Sequence, residues 1–151
     1  MSKTDKKVVW VTGASAGIGK AIAEVFADAG NIVICSARRK GELDKLVKRI
    51  VKNGGEAYTQ QCDISKYSDV KRVSKFILAK FGKLDALINS AGVTEFKLFT
   101  ESTERDYDYI IDVNLKGVFL CIKEVLPSMV KRKCGQIINI LSVAAVTTFQ
   151  Y

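Results

Sequence analysis

The stretch Thr12-Gly13-Ala14-Ser15-Ala16-Gly17-Ile18-Gly19 has the composition of an anion cradle. Glycines let a backbone turn tightly and approach a ligand closely, while the unpaired N–H groups and positive dipole end of a following helix favour a phosphate. The flanks supply that context. Val8, Val9, Trp10 and Val11 form a short β-prone run, and Ile18, Ile22, Val25, Phe26 and Ala29 recur at helical spacing up to Gly30. A P-loop is excluded, because it would need Gly at position 14 and Ser or Thr at position 21, where the chain has Ala14 and Ala21. The chain has no histidine, which removes Ser-His-Asp and Cys-His catalysis and every His-containing metal site. Proton chemistry is left to Tyr, Lys, Ser and carboxylates, and no metal site is expected.

Such a loop needs a scaffold, and the hydrophobic pattern describes one. Short β-prone runs alternate with longer helical patterns and no linker-like segment intervenes, so residues 1–151 read as a single dinucleotide-binding domain. Ile32 to Cys35 is a second strand; a helix with Leu43, Leu46, Val47, Ile50 and Val51 follows, closed by Asn53, Gly54 and Gly55. Ala57 to Cys62 is a third strand, after which Ser65 can cap a helix bearing Val70, Val73, Phe76 and Ile77. Leu84 to Ile88 is a fourth strand. Thr103 can cap a long helical region from Glu104 to about Lys131, and Gln136 to Leu141 is a fifth strand, apolar on both faces as in a parallel sheet covered on both sides. Right-handed crossovers then give an α/β fold with a doubly wound parallel sheet, five strands present in the order 3-2-1-4-5.

Composition narrows the partners. With 48% hydrophobic residues in 151, the chain can bury a sizeable core. Its net charge of +8 is scattered over the helices, which fits a solvated surface that favours a polyanionic small molecule over nucleic acid. Met1 to Lys7 lacks the hydrophobic core of a signal peptide, no run approaches membrane-spanning length, and Cys35, Cys62, Cys121 and Cys134 form no C-x-x-C pair. These features fit a cytoplasmic protein with reduced thiols and no membrane partner. Tyr109 to Val130 is more apolar than a single buried stripe requires; a second copy in a homo-oligomer or further elements of the same chain would equally cover it.

The loop Thr-Gly-x-x-x-Gly-x-Gly resembles the nucleotide loop of the short-chain dehydrogenase/reductase family, and the resemblance extends over essentially the whole chain. In a doubly wound sheet the ligand sits beyond the C-terminal strand ends. The resemblance makes Gly13, Ser15, Ala16, Gly17, Ile18 and Gly19 a dinucleotide cradle. After the second strand stand Arg38 and Arg39, with no acid to bond a ribose 2′-OH; Arg clamps a 2′-phosphate, so NADP is expected over NAD. Asp63, followed by Ile64, resembles the aspartate that accepts from the adenine amino group, although an Asp there can also cap a helix. Asn89, Ser90, Ala91 and Gly92 resemble the family's Asn-Asn-Ala-Gly, whose small residues let a ribose lie against the backbone. Asn114 resembles the tetrad asparagine that orders a proton-relay water, and Ser142 the serine that hydrogen-bonds a substrate carbonyl or hydroxyl.

The implied activity is hydride transfer between nicotinamide and a carbonyl or secondary alcohol. The family's Tyr-x-x-x-Lys would fall near positions 155 and 159, about thirteen residues past Ser142. Tyr151 is too near Ser142 and has no following Lys, while Tyr67 and Lys71 match the spacing on a surface helix far from Ser142. The sequence therefore reads as the N-terminal portion of a reductase of roughly 250 residues, with later strands missing, an open fifth strand, and no catalysis by the segment alone. A non-catalytic dinucleotide-binding or interaction subunit is the alternative if 151 residues is the natural length. A Rossmann-like methyltransferase would want an acid where Arg38 stands.

Overall fold

The protein is described by a computed structural model over residues 6–142; the polar start of the chain and Tyr151 lie outside the described residues. Strands β1 (Val8–Thr12), β2 (Ile32–Ala37), β3 (Glu56–Gln61), β4 (Ala86–Asn89) and β5 (Gln136–Asn139) form one parallel sheet in the order β3-β2-β1-β4-β5. This is the expected doubly wound order. Strand β1 lies between β2 and β4, and all five of its residues are buried.

The two-residue period of β1 divides the core. Val9 and Val11 pack with α1 (Gly17–Asp28) and α2 (Lys40–Lys52), whereas Val8 and Trp10 pack on the other face with α3 (Tyr67–Phe81) and α5 (Val118–Arg132). Trp10 is wholly buried and its indole N–H donates to Ser36 Oγ at 2.7 Å, which satisfies the one polar atom that burial would strand.

Three local expectations are corrected. Of the apolar residues spaced along α1, Ile22 and Phe26 pack against the core but Ile18 is 62% and Val25 67% exposed; the fully buried positions are Gly19, Ala23 and Ala27, whose small side chains bring the helix close to the sheet. Ser65 does not cap α3. It donates to Asp63 Oδ1 through both its hydroxyl and its N–H, while Asp69 Oδ2 accepts from Asp63 N–H, so the chain turns within 63–66 before the helix begins. The long helix from Glu104 is broken: α4 (Glu104–Ile111) passes through a π-helical turn, Asp112–Gly117, into α5. Thr103 does cap α4, in a reciprocal box with Asp106.

Strand β5 is an edge. Ile138 is 42% and Leu141 83% exposed, because β5 pairs only with β4 among the described residues, so the two-sided covering expected of its apolar sequence is absent there. No helix among the described residues is long and apolar enough to cross a membrane.

Candidate functional site

The C-terminal ends of β1 to β4 converge on one cleft of about 330 Å³. The loop after β1 contributes Gly13, Ser15, Ala16 and Gly17; the end of β2 contributes Ala37, Arg38 and Arg39. Cys62, Asp63 and Ile64 follow β3, Ser90 to Val93 follow β4, and Val113 comes from the π-helical turn. Every strand-end motif singled out on the first four strands therefore sends residues to the same cleft.

Gly13 lies against the loop after β4. Its φ is +69°, and a Cβ there would lie 2.7 Å from both Cα and N of Ala91. Gly19 does not line the cleft but sits beneath it, where a Cβ would come within 2.6 Å of Gly13 O. Helix α1 starts from Ala16 with no side-chain cap and no acidic residue in its first turn. Its first N–H groups thus lack a side-chain acceptor, and such a helix start suits an anion.

The two arginines hold positions on either side of the cleft mouth. Arg39 donates to Ser15 Oγ from Nη2 at 3.0 Å and Nε at 3.3 Å, on the glycine-loop side. Arg38 Nη1 donates to Tyr109 Oη at 2.8 Å, on the α4 side. Both partners are neutral oxygens, and the nearby Glu42 carboxylate is occupied by Lys45 at 2.8 Å. Among the described residues neither exposed guanidinium has an ion-pair partner, so the β2 end carries positive charge.

The remaining expected residues are placed differently. Ile18 is exposed outside the cleft lining. Asn89 is buried at the end of β4, its Nδ2 donating to Asn139 Oδ1 at 2.9 Å, with its own Oδ1 lacking a hydrogen-bond partner among the described residues. Asn114 spends both ends of its amide on one residue: Oδ1 accepts from Val93 N–H and Nδ2 donates to Val93 O, each at 2.8 Å. Its side chain thus fixes a wall of the cleft. Ser142 is exposed just past β5 and outside the lining. Cys62 lines the cleft as a thiol, because burial pushes it up to about 12.

A model of the short chain dehydrogenase family matches residues 7–150. The chain belongs to this family. It is 39% identical over 138 residues to a 3-oxoacyl-acyl-carrier-protein reductase of Staphylococcus epidermidis, covering 91% of this chain and 57% of that protein. It is 42% identical over 145 residues to the corresponding reductase of Synechocystis, covering 95% and 59%. Among solved structures, a metagenomic short-chain oxidoreductase in complex with NADP superposes with a TM-score of 0.90 at 37% identity, over 95% of this chain and 65% of that one. An alcohol dehydrogenase from Thermococcus sibiricus complexed with 5-hydroxy-NADP gives 0.91 at 34%, over 97% and 63%. The chain thus spans under two thirds of the length of each of these relatives.

Within this short chain dehydrogenase sequence, two further residues hold parts of the cleft in place. Thr12 Oγ1 accepts from the N–H groups of Ser90 and Ala91 at 3.1 and 3.2 Å, tying the β4 loop to the glycine loop. A buried threonine at the end of an otherwise apolar strand is the signal that could have singled it out. Tyr109 is the second; its link to Arg38 crosses 71 residues of sequence and leaves no local pattern.

Proposed function

We propose that this chain carries the dinucleotide-binding part of an NADP-dependent oxidoreductase that transfers a hydride between nicotinamide and a carbonyl or secondary alcohol. The observation that carries this reading is the pair of exposed guanidiniums at the end of β2, held by neutral oxygens beside a helix start with no side-chain cap. The residues fit the group. Gly13 and Gly17 with the first turn of α1 receive the pyrophosphate, and Arg38 and Arg39 receive the 2′-phosphate. Asp63 accepts from the adenine amino group with Ile64 beside it, and Ala91 and Gly92 give the ribose a flat wall. NADP, when bound, supplies or accepts the hydride. Ser142 orients the substrate oxygen, and Asn114 supports a proton-relay water. The NADP complex of the metagenomic relative supports this assignment.

Titrating the chain with NADPH and NADH tests the reading without requiring turnover. NADPH is expected to bind at least about tenfold more tightly, since one charged contact to a phosphate contributes roughly 1.5–3 kcal/mol. Arg38→Glu removes that preference and leaves the melting temperature within a few degrees of the parent. Equal affinity for the two nucleotides, or an Arg38→Glu variant that keeps the preference, overturns the assignment. Exposed Leu115, Phe119, Leu126 and Val130 belong in the same proposal to a homo-oligomer contact, which a monomeric mass by analytical ultracentrifugation would remove.

A further inference from the structure

The 2′-phosphate reading leaves open why Arg38 should be held ready at all, since an exposed arginine ordinarily wanders among many rotamers. Here it does not. Gln61 Nε2 donates to Arg38 O at 3.0 Å, which fixes the backbone at the end of β2. The guanidinium is then held from the opposite bank by Tyr109, through the 2.8 Å hydrogen bond and a ring centroid 5.8 Å from Arg38 Cζ. That separation is at the limit of a cation–π contact, so the hydroxyl is the group that fixes the head.

Tyr109 can do this because α4 is itself pinned. The Thr103–Asp106 box and the Lys97–Asp106 ion pair anchor the first turn of α4, and Tyr109 stands exposed further along the same helix. Arg39 has a separate support, Ser15 on the glycine loop. The two guanidiniums are therefore held from two different elements, and both residues line the cleft.

We infer that Tyr109 is a positioning residue for nucleotide selection: its hydroxyl holds the Arg38 guanidinium at the cleft mouth, so that a 2′-phosphate meets an already ordered cation. The inference rests on the NADP reading above. Ordering lost in the free protein is not lost again on binding, so the gain falls on the phosphorylated nucleotide alone. The phenol is neutral and leaves the full charge of Arg38 for the ligand, which a carboxylate in the same place would cancel.

The test is a double-mutant cycle on the ratio of NADH to NADPH dissociation constants, with the wild-type chain, Tyr109→Phe, Arg38→Ala and the double variant. Tyr109→Phe keeps the ring and removes the hydroxyl; it is expected to lower the ratio about three- to fivefold, the size of one exposed hydrogen bond, with NADH binding unchanged. Arg38→Ala lowers the ratio further, and adding Tyr109→Phe to it changes nothing more. Tyr109→Leu serves as the second variant at this site, with circular dichroism to verify folding, and is expected to match or exceed the loss in Tyr109→Phe. An unchanged ratio in Tyr109→Phe, an equal loss for both nucleotides, or an additive double variant overturns the role of Tyr109 while the NADP reading stands. A wild-type chain with no preference for NADPH overturns both together.

Discussion

The two ends of the sheet use the same residue type in opposite ways. At the N-terminal end, Arg132 donates to Asp85 Oδ1 at 2.6 Å and to Leu84 O at 2.8 Å, and Asp85 Oδ2 also accepts from Val8 N–H and from Lys83, both at 2.9 Å. At the C-terminal end, Arg38 and Arg39 reach only a phenol and a hydroxyl among the described residues. An arginine supplied with an internal carboxylate is a structural member whose charge is spent. One supplied with neutral oxygens keeps its charge for something outside the chain. The same contrast separates the helices: α4 begins with a complete capping box, α1 with none.

The harshest break of the C-terminal end is Gly13→Val. The variant forces a branched side chain into φ +69° and into the backbone of Ala91. Left-handed strain and overpacking together are expected to cost about 3–5 kcal/mol, a large share of a typical domain's stability. Urea unfolding followed by Trp10 fluorescence measures this, and nucleotide binding should vanish even where the variant folds. A midpoint close to the parent's would mean that the two loops need not touch.

At the opposite end, Asp85→Ala is expected to cost about 2–3 kcal/mol, because it leaves Arg132, Lys83 and the Val8 N–H without their acceptor. Nucleotide preference should not change. Burial alone would raise the Asp85 pKa, but Lys83, the Val8 N–H and Arg132 outweigh it and hold the carboxyl below the usual carboxylate range. A carboxyl lowered in the folded state stabilises the fold above its unfolded pKa, near 4, and that contribution drains away as pH falls through the folded value. The parent should therefore lose stability in acid more steeply than Asp85→Ala, and parallel curves would remove Asp85 from the comparison.

The sheet order and the glycine loop were legible because they rest on local pattern: period-two burial in Val8–Thr12, helical spacing after it, and Gly13 at the turn. What depends on two distant elements meeting was not. Asn114 reads locally as a polar intrusion in an apolar helix, and only the neighbouring Val93 backbone turns it into a bracket beside a π-helical turn. Ser65 and Asp63 were both plausible caps; Asp69, six residues past Asp63, decides that neither is one. Ile138 and Leu141 have the sequence of covered strand residues, and hydrophobicity cannot say what will lie against them. Tyr109 reads locally only as part of an apolar stretch, since its partner Arg38 lies at the end of β2.

The smallest expected effects test the two helix starts directly. Thr103→Ala removes a side chain that accepts from Asp106 N–H, and about 1 kcal/mol of stability should go with it. Ala16→Asp does the converse. Ala16 is the extended N-cap residue of α1, and an Asp there supplies the missing acceptor and a negative charge at the positive dipole end. It should raise stability by about 0.5–1 kcal/mol while weakening nucleotide binding, because the new carboxylate competes for the same N–H groups and repels the pyrophosphate. The opposite signs are the decisive feature: a variant that gains stability and keeps its affinity for NADPH would show that the open helix start is not what receives the ligand.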